Sequence, residues 1–152
     1  MSAARTESGS LSEQRRTESP HGVGVGDLCT RMGIEIKEAS AERVVGTMPV
    51  AGNTQPYGLL HGGASAVLAE TLGSIGAMLH ADGDKVAVGV DLNCTHHRAA
   101  RSGQVTGVAT AVHRGRSLVT YAIAITDEQN RRICSARLTC LLTSAPTVPQ
   151  AH

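Results

Sequence analysis

Gly58–Leu79, GLLHGGASAVLAETLGSIGAML, is the stretch whose reading decides the fold. His61-Gly62-Gly63 opens it as a turn. An alanine- and leucine-rich run follows, long enough for about five helical turns. One carboxylate, Glu70, stands in the middle of this mostly uncharged helix, expected from about Gly62 to His80. Downstream, apolar and polar residues alternate with the period of β-strands. A long central helix wrapped by an antiparallel sheet of five to six strands, an α+β architecture, is the simplest arrangement that satisfies both signals.

The 152 residues predict one domain, with a core large enough to stand alone. Fourteen basic residues face thirteen acidic ones, a balance that gives no general pull toward nucleic acid or membrane. No segment approaches the ~18 consecutive apolar residues of a membrane span. The N-terminus has no apolar core of a secretory signal, so a cytoplasmic protein is expected. The four cysteines, Cys29, Cys94, Cys134 and Cys140, match no metal or redox spacing and read as reduced, mostly buried thiols. Phe and Trp are absent and Tyr occurs twice. Val, Ala, Leu and Ile must build the core, and a core of such modest side chains invites a partner subunit.

Residues 1–20 are rich in Ser, Glu, Arg and Thr and read as a disordered tail. Residues 21–143 form the predicted domain, and 144–152, with two prolines, a flexible end. Asp27 is expected to cap a short helix through Met32 that Gly33 ends. Gly33–Val50 reads as a hairpin, with Pro49 ending its second strand or placing it at an edge. In the long helix, Val67, Thr71, Met78 and either Leu68 or Ile75 form an apolar side, with Ala66, Gly73, Ser74 and Ala77 on a smaller-residue side. Helical glycine is unfavourable, so Gly73 and Gly76 predict close contact with a sheet or another helix. Four strands follow, beginning near Lys85, Val105, Leu118 and Ile133. The first carries Val86, Val88, Val90 and Leu92 on one face, and the last three form a meander.

Glu70 has no Lys or Arg three or four residues away to pair with, and Ser74 lies one turn on. Two readings stand: a carboxylate pointing into solvent, or a partly buried base or nucleophile. At the start of the helix, the glycines leave backbone N–H groups unpaired at the positive end of the helix dipole. These can hold an oxyanion or polarise a carbonyl, and the Gln55 amide could aim at the same carbonyl. His61 could equally order the loop. Gly62 and Glu70 are ~12 Å apart along a helix axis. If both act on one substrate, they come from two subunits with antiparallel helices. Arg98 and Arg101 form one basic patch, Arg114 and Arg116 another. The turn His113–Ser117 combines glycine, cations and a hydroxyl, as a phosphate site or a solvated hairpin tip would. His96 and His97 should point to opposite faces of a strand, and no metal-binding cluster is evident.

Taken together, these residues resemble the hot-dog-fold acyl-CoA thioesterases. Most similar is the branch acting on aromatic acyl-CoAs: the 1,4-dihydroxy-2-naphthoyl-CoA hydrolases of menaquinone synthesis and the enterobactin proofreading thioesterases. The 4-hydroxybenzoyl-CoA thioesterase of the helix-glutamate type is more distant. The resemblance spans about residues 33–143 and is strongest over Gln55–Ser65 and Leu68-Ala69-Glu70. It implies that Glu70 attacks the thioester or activates water, and that the Gly62 N–H holds the thioester oxygen. Gln55 and His61 would line the same end, while Ser74 would orient the nucleophilic side. His96, His113, Gly115, Arg116 and Ser117 would meet the substrate and its CoA arm, with Arg98 a weaker phosphate contact. The branch reads Ser-Arg where this chain has Arg116-Ser117, which leaves the side-chain roles open there.

The family also implies dimers that pair into tetramers, and no cofactor, CoA being part of substrate and product. Val67, Leu68 and Ile75 would wall an acyl pocket for an aromatic or medium aliphatic group. Lack of Phe and Trp argues against stacking as the main recognition force. Three alternatives remain: a hydratase using Asp91 and His96, a noncatalytic acyl-CoA-binding protein, and a thioesterase acting on acyl carrier protein.

Overall fold

The computed structural model describes residues 25–144; the expected tail at 1–20 lies outside them, as does the expected end at 144–152 apart from Ser144, which closes the last strand. The described residues form α1 (Gly26–Met32), β1 (Glu35–Ala39), β2 (Arg43–Pro49), α2 (Gly62–His80), β3 (Lys85–His96), β4 (Gln104–Arg114), β5 (Leu118–Thr126) and β6 (Arg132–Ser144). Asp27 lies inside the first turn of α1 and does not cap it: Val25 precedes the helix and supplies no side-chain cap. Gly33 does end α1, in the left-handed conformation.

The six strands make one antiparallel sheet in the order β1-β2-β4-β5-β6-β3. β4, β5 and β6 are the expected meander, and β2 ends at Pro49. β3, the first strand after the helix, pairs with β6 and forms one edge. The sheet curls around α2, which touches all six strands. This is the hot-dog fold, a long helix wrapped by an antiparallel sheet.

Close approach is built from small residues. α2 buries Ala64, Ser65, Leu68, Ala69, Leu72, Gly73, Gly76 and Ala77. The expected apolar side is therefore corrected: Val67, Thr71 and Ile75 are half-buried flanks, and Met78 is 41% exposed. Side-chain size did not mark the buried face, because alanine and glycine let the backbone itself approach the sheet. A Cβ on Gly73 would stand 2.6 Å from Leu138 Cδ2, and one on Gly76 2.7 Å from the Tyr121 ring. Gly46 and Gly107 face each other across β2 and β4 and make the trough that receives Leu72. Leu68 is fully buried against Gly107, so it belongs to the core of the protomer and not to the wall of an open pocket.

Two further expectations are corrected. α2 is by length and composition apolar enough to cross a membrane, although no such run was expected. Its apolarity serves the face packed on the sheet. In β3, a bulge between Gly89 and Asp91 adds one residue and breaks the period of two. Gly89, Leu92, Cys94 and His96 pair with Cys140, Leu138, Ala136 and Cys134, while Val88 and Val90 are 45% and 56% exposed.

Candidate active site

The loop before α2 is pinned at several points. Asn53 Nδ2 donates to the carbonyls of Met32 and Pro49, at 2.8 and 2.9 Å. Its own carbonyl accepts from the His61 N–H. Gln55 N–H donates to Leu59 O, and Gly58 closes this turn at φ 74°. Leu60 N–H donates to Ala100 O at 2.8 Å, fastening the loop to the segment after β3.

The first donors of α2 are then divided. His61 is the N-cap: its Nδ1 accepts from Gly63 N–H at 2.8 Å, which places the ring proton of the neutral form on Nε2. His61 O accepts from Ala64 and Ser65 N–H. The Gly62 N–H has no acceptor among the described residues. It is left at the positive end of the helix dipole, available to a carbonyl oxygen or oxyanion.

This donor lies in a groove of about 440 Å³ whose walls include Gln55, Leu60, Gly62, His96 and Arg98. His96 crosses the helix start so closely that a Cβ on Gly62 would stand 2.9 Å from its Nε2. His96 and His97 line the same groove, against the expectation of opposite faces, because β3 ends at His96 and the chain turns away. His97 Nε2 meets Ser135 Oγ at 3.0 Å. His61 spends its imidazole on the cap and is not among the groove's walls.

Glu70 and Ser74 lie elsewhere. Glu70 is exposed, and its Oε1 rests over Gly89 of β3. Burial pushes the thiols of Cys94 and Cys140 up. The nearby Glu70 carboxylate adds to both shifts, while Cys134 and Ser74, as hydrogen-bond partners, partly offset them. Cys134 is driven by burial to about 11. All three thiols stay protonated near neutral pH, so none offers a thiolate nucleophile. Val67 and Ile75 border this flank of α2, half-buried.

His113–Ser117 lies at the other end of the helix. His80 Nε2 meets Gly115 O at 3.1 Å, and Lys85 Nζ donates to Arg116 O at 2.9 Å. Ser117 O accepts from Leu142 N–H, and Gly115 N–H donates to Leu118 O. Arg114 is held by Glu42, so it is not free for a ligand. The side chains of Arg98, Arg101 and Arg116 have no partner among the described residues.

One chain thus brings Gln55, Gly62, His96 and Arg98 together. It keeps Glu70 and Ser74 on the flank of α2, and His113, Gly115, Arg116 and Ser117 beyond its C-terminus. Sequence reasoning missed Asn53, Gly89 and Cys94. Nothing in the sequence marks a loop asparagine as an anchor, and the bulge hid which β3 residues face the helix. Among the described residues no group of three or more His, Cys, Asp or Glu is placed to hold a metal ion.

Comparison with known proteins agrees with this architecture. The thioesterase superfamily pattern matches residues 57–134, from the loop before α2 into β6. A proofreading thioesterase of Cronobacter turicensis is 45% identical over 122 residues, 80% of this chain and 89% of that protein. The 1,4-dihydroxy-2-naphthoyl-CoA hydrolase of Escherichia coli is 41% identical over 123 residues, 80% of this chain and 90% of that one. A solved thioesterase from Haemophilus influenzae superposes with a TM-score of 0.75 at 38% identity, covering 84% of this chain and 88% of that one. Likeness of this extent, over a helix that leaves one amide free for a carbonyl, places the chain in the thioesterase superfamily as a hot-dog-fold thioester hydrolase.

Proposed function

We propose that this thioesterase hydrolyses an aromatic acyl-CoA, of the dihydroxynaphthoyl or hydroxybenzoyl kind, using Glu70 as nucleophile or general base. The observation that carries the proposal is the division of the helix start. Three of its N–H groups are satisfied locally, and the one without an acceptor among the described residues belongs to Gly62, which lines the groove with Gln55 and His96. The thioester oxygen accepts a hydrogen bond from that N–H. Glu70 either attacks the carbonyl carbon, forming a mixed anhydride that water opens, or takes a proton from the attacking water. In both routes the C–S bond breaks, and CoA leaves as thiolate and picks up a proton.

Glu70 and Gly62 of one chain are ~12 Å apart along the helix, too far to meet one carbonyl. The two groups act together across a dimer with antiparallel helices. β3 offers the surface for it: a 12-residue edge strand with Val88 and Val90 exposed and no second neighbour among the described residues. A copy placed there brings the partner's Glu70, with Ser74 orienting it, toward this chain's Gly62. It also brings the partner's His113–Ser117 turn, with the free cation Arg116, toward the phosphates of CoA. Arg98 stands at the rim of the same groove. Val67 and Ile75 wall the acyl group. Such dimers pair again into tetramers.

The aromatic preference rests on likeness to the 1,4-dihydroxy-2-naphthoyl-CoA hydrolase of Escherichia coli. A thiol-release assay across aryl and alkyl acyl-CoAs and acyl carrier protein thioesters tests it, with Glu70→Gln as control. Aryl-CoA turnover should lead, and Glu70→Gln should lower kcat at least ~10²-fold with the oligomer intact. Faster turnover of alkyl chains, or of the carrier-protein thioester, would overturn the substrate assignment. Near-normal turnover by Glu70→Gln would overturn the glutamate mechanism.

A further inference from the structure

We propose that Gly89 is a positioning residue: the Cβ it lacks leaves the seat in which the Glu70 carboxylate rests. The inference deepens the glutamate mechanism and rests on it.

Gly89 is placed in an extended strand, and its φ is not among the positive values that call for glycine. Glycine within a strand weakens it and marks a site where something approaches closely. A Cβ built on Gly89 would stand 2.7 Å from Glu70 Oε1 and 3.7 Å from its Cδ, with Leu138 Cδ1 at 3.5 Å. Only the carboxylate is closer than ordinary contact. Gly73, Gly76 and Gly107 differ, because a Cβ on any of them would meet a core side chain, Leu138, Tyr121 or Leu72, at 2.6 to 2.7 Å. Those glycines serve packing.

No hydrogen-bond donor holds the Glu70 carboxylate among the described residues, so shape sets its resting place. β3 supplies that shape. Gly89 gives the floor, and the bulge that follows turns the strand. A methyl group on Gly89 pushes the free end of a flexible side chain and leaves the core alone. The fold should therefore survive while the reacting oxygen moves by up to about 1 Å, and misplacement on this scale costs ~10- to 100-fold in rate.

The test compares wild type, Gly89→Ala, Glu70→Gln and the double variant by steady-state thiol release with an aryl-CoA, alongside thermal melting and mass in solution. Gly89→Ala should keep its mass and melting temperature, lose kcat ~10-fold or more, and hold KM within about twofold. In the Glu70→Gln background it should cost nothing further, since the group it displaces no longer acts. An unchanged kcat in Gly89→Ala beside a crippled Glu70→Gln overturns this inference and leaves the glutamate mechanism standing. So does an equal loss in both backgrounds. A collapse of the melting temperature also overturns it, because then the new methyl meets more than a movable carboxylate. Full activity in Glu70→Gln removes the mechanism beneath it.

Discussion

The two ends of α2 are built in opposite ways. At the N-terminus, a pinned loop satisfies three of the helix's first donors and leaves the fourth, on Gly62, at the wall of an open groove. Near the C-terminus, the turn at His113–Ser117 has its carbonyls occupied, by His80, Lys85 and Leu142, and shows solvent its side chains instead. One end offers backbone, which cannot be mutated away and suits a carbonyl shared by every substrate. The other offers side chains, which suit the charged handle of a particular carrier. Glu70 belongs to neither end, which is why a second protomer enters the account.

Substitutions can break this contrast. Gly62→Val should do most: its side chain would enter the space of His96 and cover the free N–H. Steady-state kinetics should show kcat falling at least ~10²-fold, the scale of losing one oxyanion donor. An active Gly62→Val would mean that the N-terminal donor is not used. Arg116→Ala at the far end should leave kcat alone and raise KM for acyl-CoA about tenfold, with little effect on a substrate truncated at pantetheine. Equal effects on both substrates would separate Arg116 from the CoA phosphates.

His61→Ala sharpens the comparison by its mildness. It removes a cap worth about 1 kcal/mol, visible as a melting temperature lower by a few degrees. It should also leave kcat within a few-fold, because the imidazole faces Gly63 and not the groove. A loss as large as that of Gly62→Val would make His61 part of the chemistry. Ser74→Ala should be smallest, a few-fold in kcat through the orientation of Glu70. No change at all would leave Ser74 a packing residue beside Cys140.

Much of this was legible in the sequence. The bounds of α2 follow from the His-Gly-Gly start and the polar turn after His80, both local signals. The meander follows from short links between alternating runs. The buried face of α2 was legible in part: Gly73 and Gly76 marked the close approach to the sheet, but the larger Val67, Thr71 and Met78 drew the apolar side away from it, because a helix that packs through alanine and glycine carries no stripe of large residues to read. Leu68 looked like a pocket wall for the same reason. The bulge in β3 was hidden because Val90 resembles its neighbours, yet one extra residue decides that Gly89 and Cys94 face Glu70. For the candidate site, the residue types were readable and their grouping was not. Gly62 and Gln55 share a groove with His96 only because β3 crosses to the far edge of the sheet, and such long-range pairing leaves no mark in spacing.

In the proposed dimer each reaction centre draws Gly62 from one chain and Glu70 from another. Purified Gly62→Val and Glu70→Gln, each inactive, can be mixed under conditions that exchange subunits, and the thiol release of the mixture measured. A hybrid dimer built as proposed has one centre carrying both defects and one carrying neither, so an equal mixture should recover about a quarter of wild-type activity. No recovery, with exchange confirmed by mass, would mean that each chain builds its own centre and that no group is shared between protomers.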